Sequence, residues 1–123
     1  MLNNAKIIAF GATSNSKNSR AFYERILALN CVEDNEYATV YDCNGTMLRI
    51  QNVEEVLSQP YTMMGWWVKD INAEVANLKS RGVKFEIYSG MNSLSNPVWN
   101  APSGAYVAWF KDPDGNTLSL TQL

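Results

Sequence analysis

The sequence has no histidine and only two cysteines, Cys31 and Cys43, among its 123 residues. Imidazole and thiolate are the side chains that zinc and many other transition metals prefer. The two cysteines lie in separate segments with strand character and form no CxxC pair. We therefore interpret both as reduced, packed thiols, although a disulfide between neighbouring strands is geometrically possible, and we expect no metal or other cofactor.

An excess of positive charge is also absent. The sequence has ten basic and twelve acidic residues, which gives a net charge of -2. Binding to a phosphate backbone requires a basic surface, so we expect no nucleic-acid partner. No apolar run approaches the roughly 18 residues of a membrane span, and residues 1–6 lack the charged start and apolar core of a signal peptide. We expect no membrane association and a cytoplasmic location.

The order of the predicted elements repeats along the chain. Each half reads as strand, helix and three further strands. Ser16 and Asp70 offer helix N-caps, Asn44-Gly45 offers a hairpin turn, and Gly82 ends the second helix. The predicted strands are 6–12, 31–33, 37–42 and 46–51, then 62–68, 83–87, 105–111 and 117–121, with a loop at 88–104.

Three motifs follow the first strand in order. They are Ser19-Arg20-Ala21-Phe22-Tyr23, Arg81-Gly82-Val83 and Phe110-x-Asp112-Pro113-Asp114-Gly115-Asn116. With them the chain resembles the glyoxalase/bleomycin-resistance/extradiol-dioxygenase (vicinal oxygen chelate) superfamily. The resemblance implies one glyoxalase-like α+β domain over 1–123, in which two β-α-β-β-β modules, about 5–55 and 60–123, form a curled mixed sheet around a cleft. It also implies a homodimer, as in antibiotic-sequestering relatives.

The resemblance also places a metal site, with one ligand each on the first, fourth, fifth and eighth strands. The matching residues here are Ile8, Arg49, Met63 and Ser119, where relatives show His, Gln or Glu. An alkyl chain, a guanidinium, a thioether and one hydroxyl do not hold a divalent cation. The metal-dependent lyase, isomerase and ring-opening chemistries of the family are therefore not expected in their usual form.

The alternation of a strand predicts which side chains line the cleft. If Arg49 and Ser119 face inward, then Leu48, Ile50, Leu118 and Leu120 turn to the helices. Across the turn, Lys111 should pair with Thr117 and Trp109 with Ser119, which aims Trp109 inward. The predicted ligand-binding residues are Ile8, Phe10, Met47, Arg49, Met63, Trp67, Trp109 and Ser119.

Several of these aromatic and apolar residues have a packing alternative. Trp67 and Trp109 would serve equally to close a small core, and Met63 to fill an irregular gap. Trp99 and Tyr106, in or beside the long loop, are candidates for a lid or for a dimer interface.

The charged candidates also have alternatives. Arg49 would have no ligand role if it paired with a carboxylate such as Glu36 or Glu86. Asp112 and Asp114 resemble an acid–base pair, but their Pro-Asp-Gly setting favours a role in the turn.

Three functions are compatible with this pattern. The first is a metal-independent protein that binds a planar or apolar, anionic or carbonyl-bearing small molecule, with indoles for stacking and Arg49 as polar anchor. The second is a lyase, isomerase or dioxygenase-type enzyme with an atypical site, in which Arg49 acts as electrophile beside a Tyr or Ser proton donor. Its catalytic residues remain unknown, because no general base is evident. The third is a vestigial dimerisation module.

Overall fold

The computed structural model describes residues 1–92 and 95–123. The chain divides into two compact units, Met1–Leu57 and Ser58–Leu123. Each unit contains one four-stranded mixed sheet with helical structure between its first and second strands. The predicted repeat of strand, helix and three strands is thus confirmed, with one separate sheet in each unit. No helix in the described part of the chain is long and apolar enough to span a membrane.

In the first unit the strand order is β1-β4-β3-β2. Strands β1 and β4 run parallel, and the other neighbours are antiparallel. The elements are the 3-10 turn Leu2–Asn4, β1 (Ile8–Thr13), α1 (Ser16–Arg20), a π-helix (Ala21–Ile26), β2 (Asn30–Asp34), β3 (Ala38–Cys43) and β4 (Thr46–Asn52).

The helical segment of the first unit differs from the prediction in two details. The N-cap is Asn15 rather than Ser16, because the Asn15 side chain accepts a hydrogen bond from the Asn18 backbone N–H. The α-helix then widens into a π-helix, where the Leu27 N–H donates to the Phe22 carbonyl. The hairpin turn at Asn44-Gly45 is confirmed, since both residues have positive φ, as this tight turn requires.

In the second unit the strand order is β5-β8-β7-β6, with β5 and β8 parallel. Asp70 caps the helix as predicted, and Gly82, at a φ of 95°, ends it. The apolar face of the helix is buried through Ile71, Val75 and Leu78. The elements are β5 (Thr62–Trp67), α2 (Ile71–Ser80), β6 (Trp99–Asn100), β7 (Tyr106–Lys111) and β8 (Thr117–Gln122).

Two predictions for the second unit are wrong in part. The predicted strand 83–87 is only an isolated bridge, in which Phe85 pairs with Phe110. The predicted loop 88–104 contains β6, because Trp99 pairs with Val107 and so occupies the edge of the sheet beside β7. Residues 93 and 94 of that loop lie outside the described residues.

The predicted register across the Asp-Pro-Asp-Gly-Asn turn is confirmed. Lys111 pairs with Thr117 and Trp109 with Ser119. The turn role of Asp112 is confirmed as well: its carboxylate accepts hydrogen bonds from the Asp114 and Asn116 backbone N–H groups and from the Asn116 side chain. This local network fixes how β7 and β8 present their side chains.

Candidate functional site

Each sheet has a core face and a second, open face. The aliphatic residues predicted to face the helices are buried, namely Leu48, Ile50, Leu118 and Leu120. The open face of the first unit carries Ile8, Phe10, Met47 and Arg49, and that of the second carries Gly65, Trp67, Trp109 and Ser119. Burial follows the inferred alternation along β1, β4 and β7, but not along β8, where Thr117 and Ser119 are buried as well.

The first unit brings its four predicted binding residues together in two cross-strand pairs. Ile8 pairs with Met47, and Phe10 pairs with Arg49. Three of these side chains are apolar yet exposed, with Ile8 at 45%, Phe10 at 50% and Met47 at 40% of their maximum. Ile8 and Met47 also border a cavity of about 380 Å³ at the start of β1.

Arg49 is half-buried in β4, in register with Phe10 on one side and Val40 on the other. Arg20 forms ion pairs with Glu24 and with Asp34, and no ion pair of Arg49 is found within residues 1–92 and 95–123. Arg49 therefore does not pair with any carboxylate in the described part of the chain. Its guanidinium keeps five N–H donors for other partners.

The centre of the open face of the second unit has no side chain at Gly65. Gly65 lies opposite Ser119 across β5 and β8, and Ser119 lies opposite Trp109 across β8 and β7. A Cβ added at Gly65 would overlap the Ser119 hydroxyl and lie 3.1 Å from the Ser119 carbonyl oxygen. Trp67, two residues beyond Gly65, is 78% exposed.

Met63 lies at an irregularity of β5. The register with β8 shifts between Thr62, which pairs with Thr117, and Met64, which pairs with Leu118. Met63 falls at this shift without a Cα partner and is half-buried. Its place in the binding surface stays a prediction.

Trp109 is the centre of an aromatic cluster. Its ring centroid lies 5.4 Å from that of Tyr88, edge to face, and 5.9 Å from that of Trp99. Its indole Nε1–H donates a hydrogen bond of 3.0 Å to the Thr62 hydroxyl. The polar edge of the ring is thus satisfied within the unit, and the indole is held in one orientation.

A cavity of about 430 Å³ adjoins this cluster. We call it the aromatic cavity; it is lined by Gln59, Pro60, Tyr61, Thr62, Tyr88, Met91, Trp109, Lys111 and Thr117. Its volume lies within the roughly 300–1,000 Å³ that is usual for small-molecule sites. Trp109 is the one predicted binding residue in its wall.

The sequence does not predict that the other wall residues belong to a binding site, and the reasons are structural. Thr62 reaches Trp109 only because β5 is irregular next to it, and an irregular register leaves no periodic signal. Tyr88 and Met91 belong to a segment whose composition predicts a loop. The turn motif predicts the pairing of Lys111 with Thr117, but not their contact with a cavity.

The Tyr88 hydroxyl is protonated and available as a hydrogen-bond donor. Burial raises the pKa of its hydroxyl, and the nearby negative charge of Glu86 raises it further. A phenol whose pKa lies above its ordinary value of about 10 stays protonated at neutral pH. Tyr88 can therefore donate a hydrogen bond to a guest in the cavity.

The four positions that match family metal ligands do not fit a divalent cation. Ile8 and Met63 offer no anionic or imidazole donor, Arg49 carries a positive charge, and Ser119 offers one hydroxyl. Within residues 1–92 and 95–123 there is no group of three or more His, Cys, Asp or Glu side chains placed to hold a metal ion.

Solved structures of similar shape are found, although the sequences are distant. A glyoxalase family protein from Enterococcus faecalis has a TM-score of 0.76 and 20% identity over 98% of its own chain and 97% of this one. A glyoxalase/bleomycin resistance protein/dioxygenase superfamily member from Sphaerobacter thermophilus has a TM-score of 0.72 and 22% identity, covering 95% of this chain and 97% of that one. The fosfomycin resistance protein FosX from Listeria monocytogenes has a TM-score of 0.73 and 11% identity, covering 98% and 93%. No protein-family model and no curated protein matches the sequence.

Proposed function

We propose a small-molecule-binding function for this chain, which has the fold of the glyoxalase/bleomycin resistance protein/dioxygenase superfamily. The ligand is a planar or largely apolar organic molecule, and binding requires no metal ion. The observation that carries the proposal is the aromatic cavity of the second unit, with Trp109 in its wall.

The chemistry of that cavity favours binding over catalysis. Its wall combines Tyr61, Tyr88 and Trp109 with a few hydroxyl and amide groups, which is the usual composition of a ligand pocket. No histidine or carboxylate stands among the described wall residues, so a general base is missing. A planar guest gains about 0.5–1.5 kcal/mol per stacked ring beyond the burial of its surface.

The open face of the first unit offers a binding surface of its own. Arg49, which has no ion pair in the described chain, lies beside the exposed ring of Phe10. A guanidinium next to an aromatic ring suits a carboxylate or carbonyl group. We propose that Ile8, Phe10, Met47 and Arg49 contribute to binding from this face.

We further propose a homodimer that works in the cytoplasm. The exposed apolar side chains of both open faces, Phe10 and Trp67 above all, are of the type that subunit interfaces cover. Cys31 and Cys43 are both free thiols, as a reducing compartment permits.

The two rival functions are less well supported. An enzyme of the same fold would find in Tyr88 a hydrogen-bond donor whose raised pKa makes it a weak acid, and no base in the described wall of the cavity. A vestigial dimerisation module needs no ligand cavity, whereas about 430 Å³ is open beside Trp109. The fold by itself hosts several functions and does not decide among them.

Trp109→Ala tests the site directly. We expect aromatic fragments that bind the wild-type protein in ligand-observed NMR to bind this variant about ten-fold or more weakly, because the stacking surface is lost. Arg49→Ala should weaken the binding of acidic fragments selectively. Tyr37→Ala is the matched control, since Tyr37 is a 72% exposed aromatic residue outside the cavity wall. Equal binding by wild type and Trp109→Ala would remove the site assignment.

A further inference from the structure

The aromatic cavity contains a single charged side chain, Lys111, among the described residues of its wall. Lys111 is exposed and pairs across the hairpin with Thr117, so both side chains lie on the same face as Trp109, two residues away. The cavity therefore combines stacking surface, hydroxyl groups and one ammonium group.

No carboxylate of the described chain neutralises this ammonium group. Lys111 forms no ion pair within residues 1–92 and 95–123. Asp112, the next residue, is buried, and its carboxylate accepts hydrogen bonds within the turn. Glu86 lies near enough to Tyr88 to affect the hydroxyl of that tyrosine, but it is not part of the cavity wall.

The donors and acceptors around Lys111 also favour an anion. The Trp109 N–H is already bonded to Thr62, so the indole offers its apolar ring rather than a polar group. Tyr88 stays protonated and donates, and Thr117, a buried residue of the cavity wall, carries a hydroxyl that can donate as well. A cation would gain from the aromatic rings but would meet the charge of Lys111.

From this arrangement we propose that the ligand of the aromatic cavity is an aromatic anion, whose ring packs against Trp109 and whose acidic group binds the Lys111 ammonium. The inference rests on the proposed binding function and adds the charge class of the ligand. Lys111 acts as a specificity residue that selects anionic over neutral and cationic compounds of the same shape.

Three probes with one ring system and different charge test the proposal. They are indole-3-acetate, indole-3-acetamide and tryptamine, titrated into ¹⁵N-labelled protein while the Trp109 indole N–H signal is followed. We expect the acetate to bind about three- to five-fold more tightly than the acetamide, with tryptamine weakest. The preference should shrink at high salt. Lys111→Gln should abolish the preference without weakening the acetamide, and Lys111→Arg should keep it.

Lys69→Gln is the matched control, because it removes one exposed positive charge of the same unit outside the cavity wall. If all three probes shift the Trp109 signal with equal affinity, the cavity binds aromatics and the charge inference is wrong. The charge inference is also wrong if Lys69→Gln lowers the preference as much as Lys111→Gln does. If no probe shifts the Trp109 signal, the proposed binding site itself fails.

Discussion

Gly65 lies opposite Ser119 on the open face of the second unit, where β5 runs beside β8. Because glycine has no Cβ, nothing at this position overlaps the Ser119 hydroxyl or carbonyl oxygen. We expect Gly65→Ala to lower the free energy of unfolding by about 1–2 kcal/mol, because the added methyl overpacks this contact. The Ser119 hydroxyl can rotate away, but its carbonyl oxygen cannot, so part of the cost persists.

Urea denaturation of Gly65→Ala, Ser119→Ala and the double variant measures this coupling. The double variant should recover much of the loss, because it removes the hydroxyl that the new methyl group overlaps. Strictly additive effects of the two substitutions would show that the hydroxyl is not the obstacle.

At the scale of residues, what the sequence can predict depends on how local the cause is. The position of Trp109 is predictable because the turn at Asp112 fixes the register, and the register fixes the face. Its partner Thr62 is not predictable, because the shift in β5 depends on packing between strands distant in sequence. The exposure of Trp67 likewise depends on which surfaces the folded chain leaves uncovered.

At the scale of elements, a charged network joins the helical segment of the first unit to its sheet. Arg20 donates to both carboxylate oxygens of Glu24, at 2.6 and 3.1 Å, and the buried Tyr41 of β3 donates to Glu24 at 3.0 Å. Arg20 also bonds Asp34 at the end of β2. The hydrogen bonds from Arg20, followed by that from Tyr41, hold the pKa of Glu24 below its ordinary value of 4.5, although burial opposes them.

The direction of this shift sets the pH dependence of stability. A carboxyl group whose pKa is lower in the folded state binds fewer protons there than in the unfolded chain, so it stabilises the fold above its unfolded pKa. That contribution is lost as the pH falls below about 4.5 through the folded pKa. We expect Glu24→Gln to cost about 1–2 kcal/mol at pH 7 and to flatten the decline of stability in acid.

Urea denaturation of wild type and Glu24→Gln between pH 7 and pH 3 checks both expectations. Glu54→Gln is the control, since Glu54 is exposed and lies outside the network. An unchanged acid profile in Glu24→Gln would mean that other carboxylates cause the decline.

The ends of helices and strands are predictable where nearby residues set them, and unpredictable where pairing with a distant strand sets them. The helix at Ile71–Ser80 is predictable because its Asp70 cap and the glycine at 82 act within one turn of it. The sequence does not predict strand β6, because Trp99–Asn100 is too short for a periodic signal and forms only by pairing with β7. Conversely, residues 83–87 have the pattern of a strand but form only one bridge, at Phe85.

At the scale of the whole molecule, the order of elements predicts the repeat of two modules, whereas the arrangement of their sheets is implied by the family resemblance. Two successive β-α-β-β-β segments form two sheets with the same strand arrangement, each with one parallel pair between its first and last strands. Function is less determined at this scale, because solved structures of this shape include both a fosfomycin resistance protein and a glyoxalase family protein. Function is therefore better inferred from the residues of the cavity wall than from the fold.

Native mass spectrometry of protein purified without chelators tests the assembly and the metal together. We expect a species of twice the 13.8 kDa chain mass without a bound transition metal, because exposed apolar rings favour pairing and the four family ligand positions offer no set of metal ligands. Phe10→Ser combined with Trp67→Ser should shift the population towards monomer, whereas Tyr37→Ser, another exposed aromatic, should not. One stoichiometric zinc, nickel, manganese or iron ion per chain would contradict metal-independent binding. A monomer in the wild type would instead contradict only the dimer, and would leave the ligand site of the second unit as proposed.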